Sequence, residues 1–298
     1  MDVSIIIVNY NTKDLLIDCI NSIYKQTEKV LFEIIVVDNS STDNSQEMIN
    51  RKFPHINFIQ SAENLGFGRA NNLGVSQAKG EFVFFLNSDT YLLNNAIYYF
   101  LDFIRKNKNL KIGCLGSVLL DDSSVETHSS ESFPSKKRII FETLNNYVGN
   151  FFRSPFKKER KEFSGVDYFQ VDYITGADLF LSKELFIQLK GFDPQFFMYY
   201  EETDLQKQID KLNLNRYLIK GPKIVHLEGG SNTSEVFSAR RRIMITESLF
   251  KYVKKNSFIL NYYIFRIVFF LIRLPILFDS RITFNDRRKY IFSLLKFY

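Results

Sequence analysis

Asn87-Ser88-Asp89-Thr90 follows directly on five apolar residues, Phe82 to Leu86. Such a run predicts a short strand buried on both faces, as parallel strands between helix layers are. The polar quartet then lies at the strand's carboxyl end, where open α/β sheets bind ligands. A carboxylate flanked by amide and hydroxyl oxygens is a hard donor set, suited to Mg²⁺ or Mn²⁺ with a phosphate. Read alone, Asp89 serves equally well as the cap of a following helix. A second concentration is Glu201, Glu202 and Asp204, three carboxylates in four residues behind the aromatic run Phe196 to Tyr200. They either complement a helix dipole or include a general base whose pKa rises against an aromatic wall. His226 ends a short apolar stretch and precedes Leu-Glu-Gly-Gly-Ser, as a ligand or as a structural histidine.

These groups need elements to hold them. Val3 to Val8 and Phe32 to Val37 are further apolar runs, ending in Asn9-Tyr10-Asn11-Thr12 and in Asp38-Asn39-Ser40-Ser41. Ile56 to Gln60 predicts a third strand. Lys13 to Gln26, with apolar residues at 15, 16, 19, 20 and 23, has helical spacing. Asp43 with Gln46 predicts a capping box for the next helix. Strands alternating with helices imply a parallel sheet with right-handed crossovers. The turns at Asn9, Asp38 and Asn87 then share one sheet edge. Gly66-Phe67-Gly68 lacks a third glycine, so it is a poor dinucleotide fingerprint. Asn95 to Asn107 reads as a helix, and Ile112 to Leu120 as a strand. Residues 121–165, with SSESFPSKK and FFRSPFKKERKEF, read as an irregular insertion. Strand character resumes over Val166 to Leu181, then at Arg216 to Ile219 and Lys223 to Val225.

The length of 298 residues suits one large domain, or one with an appendage. Cys19 and Cys114 sit in apolar contexts and read as buried free thiols of a reducing cytoplasm. MDVSIIIVNY lacks a basic leader and is expected to enter a strand directly. The charge of +6 is uneven. Residues 235–298 carry 13 Lys and Arg against 4 Asp and Glu, and residues 1–234 carry 26 against 29. A basic tail on a slightly acidic body points to an anionic partner. No helix-turn-helix, zinc-finger or RNP-like motif is found, so nucleic acid is not expected.

In combination, SIIIVNYN (4–11), IIVVDNSSTDNS (34–45), ENLGFGRANNLG (63–74), FLNSDT (85–90), ITGADLFLSKELF (174–186), GFDPQFFMYYEETDL (191–205) and KIVHLEGGS (223–231) resemble the family 2 glycosyltransferases, notably their bacterial rhamnosyltransferase-like branch. The resemblance covers about residues 3–250. It implies an α/β fold of the GT-A type, with a mostly parallel central sheet flanked by helices. It implies an inverting transfer of a sugar from a nucleotide-diphosphate donor, of dTDP-rhamnose or UDP-hexose type. Tyr10, Asn11, Asp38 and Arg69 fall where the family contacts the nucleotide, with Asn9, Asn64, Gly66 and Asn72 in the same stretches. Asn87-Ser88-Asp89 falls at the family's Asp-x-Asp position, its first acid replaced by Asn. His226 falls at a second ligand to Mg²⁺ or Mn²⁺. Glu202 falls at the catalytic base, with Glu201 and Asp204 as substitutes. Gly176, Ala177, Asp178 and Tyr200 fall on the acceptor side.

A catalytic domain over 1–234 and a helical extension over 235–298 are expected. Within the extension, FILNYYIFRIVFFLIRLPILF at 258–278 has nearly the length of a span. Arg266, Arg273 and Pro275 argue against a free-standing one. The two arginines share a helix face, with Lys255 near it, and predict a helix lying in the membrane interface. The alternative is a helix packed on the core or on a second subunit, as in a homodimer. An acceptor carried on a membrane lipid diphosphate would suit a protein peripheral to the cytoplasmic face of the inner membrane. The rival readings are a sugar nucleotidyltransferase, whose Gly-rich basic signature VNYNTKD lacks, and a silent nucleotide-sugar-binding scaffold subunit.

Overall fold

In a computed structural model, residues 1–149, 151–156, 163, 165–227, 239–279 and 282–296 are described. The chain forms two compact units. One comprises Met1–Ser132, Lys161–Phe197 and Glu201–Thr233; the other comprises Phe133–Arg160, Met198–Tyr200 and Ser234–Tyr298.

In chain order the elements are β1 (Val3–Asn9), α1 (Lys13–Gln26), β2 (Phe32–Asp38), α2 (Ser45–Lys52), β3 (Asn57–Gln60), α3 (Phe67–Val75), β4 (Phe82–Leu86), β5 (Thr90–Leu92), α4 (Ala96–Lys106), β6 (Ile112–Ser117), β7 (Ser130–Glu131), α5 (Lys136–Tyr147), β8 (Tyr168–Val171), β9 (Tyr173–Ile174), β10 (Asp178–Ser182), α6 (Lys183–Gln188), α7 (Glu201–Lys211), β11 (Asn215–Ile219), β12 (Ile224–His226), α8 (Ala239–Lys255), α9 (Ile259–Arg273), a 3₁₀ turn (Leu274–Phe278) and α10 (Phe284–Leu295).

The first unit is built on an eight-stranded sheet of order β3-β2-β1-β4-β10-β6-β11-β8. Strands β3, β2, β1 and β4 run parallel. β10 is antiparallel to β4 and β6. Successive side chains of a strand point to opposite faces, and the sequence supplies two apolar faces. Val3, Ile5, Ile7, Ile34, Val36, Phe84 and Leu86 enter one core. Ile6, Ile35, Val37, Val83 and Phe85 enter the other. Helices cover both, which is why these strands are continuous apolar runs.

The structure departs from three sequence expectations. Residues 121–165 are not wholly irregular: α5 occupies Lys136–Tyr147, started by the Ser135 hydroxyl, which accepts from the Arg138 N–H. Residues 150, 157–162 and 164 lie outside the described residues. Asp43 does not close a box with Gln46. Its carboxylate accepts from the Lys13 and Ser45 N–H groups, at 2.9 and 3.1 Å, tying α1 to α2. In the second unit, Arg266 is buried and points inward. Its guanidinium donates to the Tyr262 hydroxyl and to the Leu294 carbonyl and lies 4.3 Å from the centre of the Phe250 ring. Arg273 is half-buried beside Phe269. Spacing placed the two arginines on one face; cation–π contact and hydrogen bonding turn that face inward.

Candidate functional site

The carboxyl ends of β1, β2 and β4 do share one edge, and side chains sew them together. Asn9 is wholly buried. Its amide donates to Asp38 Oδ2 at 2.7 Å and lies within reach of the Ser41 and Ser45 hydroxyls. Asn9 Oδ1 accepts from the Thr12 hydroxyl at 2.7 Å, and that hydroxyl lies 2.9 Å from the Ser88 hydroxyl. Asp38 is also wholly buried. Its Oδ1 accepts from the Ser41 N–H at 2.7 Å and from Gln60 Nε2 at 2.9 Å. Asn9 and Asp38, expected at the donor, also brace the edge through these bonds. Their buried polar atoms are satisfied internally, as burial requires. Tyr10 and Asn11 are exposed above them. Asn11 adopts φ +55° and accepts from the Thr42 N–H at 2.8 Å.

The next wall is the turn into α3. Asn64 Oδ1 accepts from the Gly66 N–H at 2.9 Å, the local ring that asparagine favours in turns. Asn39, which the sequence reading passed over, clamps the same turn: it donates to the Gly66 carbonyl and accepts from the Leu65 N–H. Gly66 has φ +80° and ψ −177°, and an added Cβ would lie 2.0 Å from the Phe197 carbonyl oxygen. That oxygen accepts from the Phe67 N–H at 3.0 Å. Arg69 Nε donates to the Leu65 carbonyl at 2.7 Å. Asn72, expected at the donor, instead spends its amide on the backbone of Phe192, donating at 2.7 Å and accepting at 2.9 Å.

Glu201, Glu202 and Asp204 open α7. Glu201 and Asp204 are buried, and Glu202 is half-buried. Glu201 packs behind Gly68, whose added Cβ would meet Glu201 Cβ at 3.4 Å. Glu202 lies on the side of Gly176, where an added Cβ would meet Glu202 Cγ at 3.6 Å. Two adjacent helical residues point about 100° apart, and here they take different neighbours. Burial pushes the Glu202 carboxyl above the usual carboxylate range, partly offset by hydrogen bonds from its own N–H and from Thr203. Gln206, also missed in the sequence, anchors the helix: buried completely, it donates to the Ile174 carbonyl and accepts from the Ile174 N–H. Nothing in the residue pattern separates Gln206 from an ordinary polar helical residue. Tyr200 belongs to the second unit, where its ring lies 5.5 Å from that of Tyr252.

At the end of β4, His226 Nε2 lies 3.3 Å from Asp89 Oδ1 and 3.4 Å from Asn87 Nδ2. β12 pairs with β5 and sets His226 opposite Thr90. Both side chains of the Asp89–His226 pair are mostly covered, at 11% and 15% exposure. Among the described residues no group of three or more His, Cys, Asp and Glu side chains gathers as a metal cage. One carboxylate with one imidazole fits a divalent cation that substrate phosphates and water would complete, which is the usual manner of Mg²⁺. Asp178, expected on the acceptor side, is wholly buried in β10 opposite Leu86. Its Oδ2 accepts from the Ser117 N–H and hydroxyl, both at 2.6 Å, and Oδ1 has no hydrogen-bond partner among the described residues. Burial pushes its carboxyl up to about 7, against the pull of Ser117 and the charge of His226. Ala177 contributes its carbonyl, which accepts from the Asn87 N–H at 3.0 Å. Cys19 and Cys114 are free and buried, with Cys19 pushed up to about 12 by burial.

Residues 4–162 match the family model described as Glycosyl transferase family 2. The chain is 35% identical over 114 residues to a poly(ribitol-phosphate) beta-glucosyltransferase of Bacillus spizizenii, covering 37% of this chain and 18% of that one. It is 25% identical over 209 residues to an N-acetylglucosaminyl-diphospho-decaprenol L-rhamnosyltransferase of Mycobacterium tuberculosis, covering 65% of this chain and 66% of that one. The matches thus span less than two thirds of either relative. Among solved structures, GalNAc-T7 with UDP, GalNAc and Mn²⁺ superposes with a TM-score of 0.62 at 15% identity, covering 99% of this chain and 55% of that one. That likeness is one of fold, the GT-A arrangement of a mostly parallel sheet flanked by helices.

Proposed function

This chain belongs to glycosyl transferase family 2, and from that premise we propose that it moves one sugar from a nucleoside-diphosphate-sugar to a hydroxyl of a bacterial surface glycan, inverting the anomeric centre. The observation that carries the reading is the Asp89–His226 pair, 3.3 Å apart at the carboxyl edge of the parallel strands. The donor is of the dTDP-rhamnose or UDP-hexose type. The acceptor is carried on a membrane lipid diphosphate, as N-acetylglucosaminyl-diphospho-decaprenol is for the mycobacterial relative. The protein works peripherally at the cytoplasmic face of the inner membrane.

In this reading Asp89 and His226 hold a Mg²⁺ or Mn²⁺ ion, with Asn87 and Ser88 completing the rim. The ion, when bound, neutralises charge that develops on the leaving diphosphate. Tyr10 and Asn11, exposed at the end of β1, and Arg69, on α3, bind the nucleotide. Asn9, Asp38 and Asn39 act through them, holding the strand-end turns at fixed spacing. Glu202 takes the proton from the acceptor hydroxyl as it attacks; one carboxylate is enough for a single inverting displacement. Gly176, lacking a Cβ that would touch Glu202 and Phe67, keeps a side chain off the Glu202 carboxylate's stem. Water is a competing nucleophile, so a mostly covered site favours transfer over hydrolysis.

The test is release of nucleoside diphosphate from a panel of sugar nucleotides with Mn²⁺, with and without lipid-linked acceptor. Acceptor-dependent release with one donor is expected. Binding of donor without any release would identify a silent subunit, and formation of a sugar nucleotide from nucleoside triphosphate would identify a nucleotidyltransferase.

A further inference from the structure

The helices of the second unit carry a surface that the Arg266–Arg273 pattern did not reveal. On α9 the inward stripe is Tyr262, Phe265, Arg266 and Phe269. The opposite stripe, Leu260, Ile264, Ile267 and Leu271, is 52–68% exposed. A helix apolar all round belongs in a core or a membrane, yet half of this one is bare. Further exposed apolar side chains stand on the 3₁₀ turn, with Phe278 86% exposed, and on α10, with Phe284 71% and Phe292 57% exposed. Between turn and helix lies a groove of about 190 Å³ lined by Leu277, Phe284, Arg287, Arg288, Ile291 and Phe292. Aliphatic and aromatic walls with two guanidinium groups suit an acyl chain beside a phosphate.

We propose that the exposed face of α9, the 3₁₀ turn and α10 inserts as one monotopic surface into an anionic lipid leaflet, with Arg287 and Arg288 at the headgroup level of the groove. The inference rests on the reading of a membrane-carried acceptor and names the residues that engage the membrane. Three observations select lipid over other occupants. First, Ile259–Phe278 is long and apolar enough to cross a membrane, but it carries Arg266 and Arg273, and one face of α9 is buried within the unit. Its inward face is already covered by the Phe250 ring of α8 and by the Leu294 carbonyl of α10, both against Arg266. Second, the unit's residues, 133–160, 198–200 and 234–298, hold 20 Lys and Arg against 6 Asp and Glu, a balance of +14, which leaves −8 for the rest of the chain. Each basic residue near an anionic surface adds attraction. Third, a second copy of the same face brings the same +14 and is repelled on approach, whereas an anionic leaflet is attracted.

Flotation of the full chain with vesicles tests this, using phosphatidylcholine alone or mixed with phosphatidylglycerol, at low and high salt. The wild-type protein should float with the mixed vesicles at low salt. Ile264→Asp with Ile267→Asp, both at exposed positions, should lower the bound fraction at least about tenfold while leaving the melting temperature and transfer to a soluble acceptor analogue unchanged. Arg288→Gln, at an exposed position of the groove, should reduce the preference for mixed over neutral vesicles and leave the residual neutral binding intact. A wild-type chain that stays unbound overturns the proposal. So does an Ile264→Asp/Ile267→Asp variant that floats like wild type, or sedimentation showing a dimer that the same variant splits. Absence of sugar transfer with flotation intact would count against the glycosyl-transfer reading and leave the lipid surface standing.

Discussion

A carboxylate serves as a base near neutral pH when its proton affinity is raised toward the working range. Glu202 meets that condition because burial raises its pKa, while its side chain stays partly exposed beside Gly176. Its raised pKa places the acid limb of kcat/KM above the ordinary glutamate value of about 4.3, with activity rising as Glu202 loses its proton. Glu202→Gln should keep donor affinity and lower turnover about 10²–10⁴-fold; Glu201→Gln, behind Gly68, should change stability more than turnover. Single-turnover transfer with donor titration reads both, and an inactive Glu201→Gln beside an active Glu202→Gln would reassign the base. Asp89→Ala should abolish Mn²⁺ binding, seen by the electron paramagnetic resonance of the free ion, with an unchanged circular dichroism spectrum. Mn²⁺ affinity equal to wild type would remove Asp89 from the cation site.

At the scale of elements, the apolar runs were legible because a strand buried on both faces has few other ways to be written: Phe82–Leu86 is β4 to the residue. The shared edge of Asn9, Asp38 and Asn87 was legible for the same reason. Which polar side chains face the ligand and which brace the edge was not, because residue type does not give direction. Asn9 and Asp38 turned out to face each other. Helical spacing likewise put Arg266 and Arg273 on one face without saying that the face turns inward. The mixed polar sequence of α5 carries little periodic signal, and only Ser135 marks its start. The turn before α3 is a poor dinucleotide fingerprint because its demand for glycine is steric. Gly66 lies in a region of backbone space open essentially to glycine alone, and a methyl there would displace the Phe197 carbonyl from Phe67. Gly66→Ala should therefore destabilise the chain by about 2–4 kcal/mol, combining backbone strain with a lost hydrogen bond. Urea unfolding would measure it, and a midpoint equal to wild type would show that the turn can rearrange.

At the scale of the whole molecule, buried charge makes stability depend on pH, and Asp178 dominates that dependence in the sheet. Its carboxyl is wholly buried with one oxygen pinned by Ser117, and its pKa rises to about 7. In the unfolded chain the same group titrates near 3.9. Between about pH 4 and 7 the folded state therefore holds a proton that the unfolded state has released. The unfolded state binds fewer protons, so unfolding free energy falls as pH rises through this window, and above about pH 7 the group adds no further slope. The full effect is at most about 4 kcal/mol. Glu202 has the same sign, so the slope of wild type alone does not isolate Asp178. The difference between wild type and Asp178→Asn does. An amide of nearly equal volume keeps an acceptor oxygen for Ser117 and removes the ionisation. Urea unfolding from pH 4.5 to 8 should show the variant gaining on wild type as pH rises, with the gap levelling off above about pH 7. Parallel curves would mean that Asp178 ionises in the fold without penalty, through solvent or a cation that reaches Oδ1.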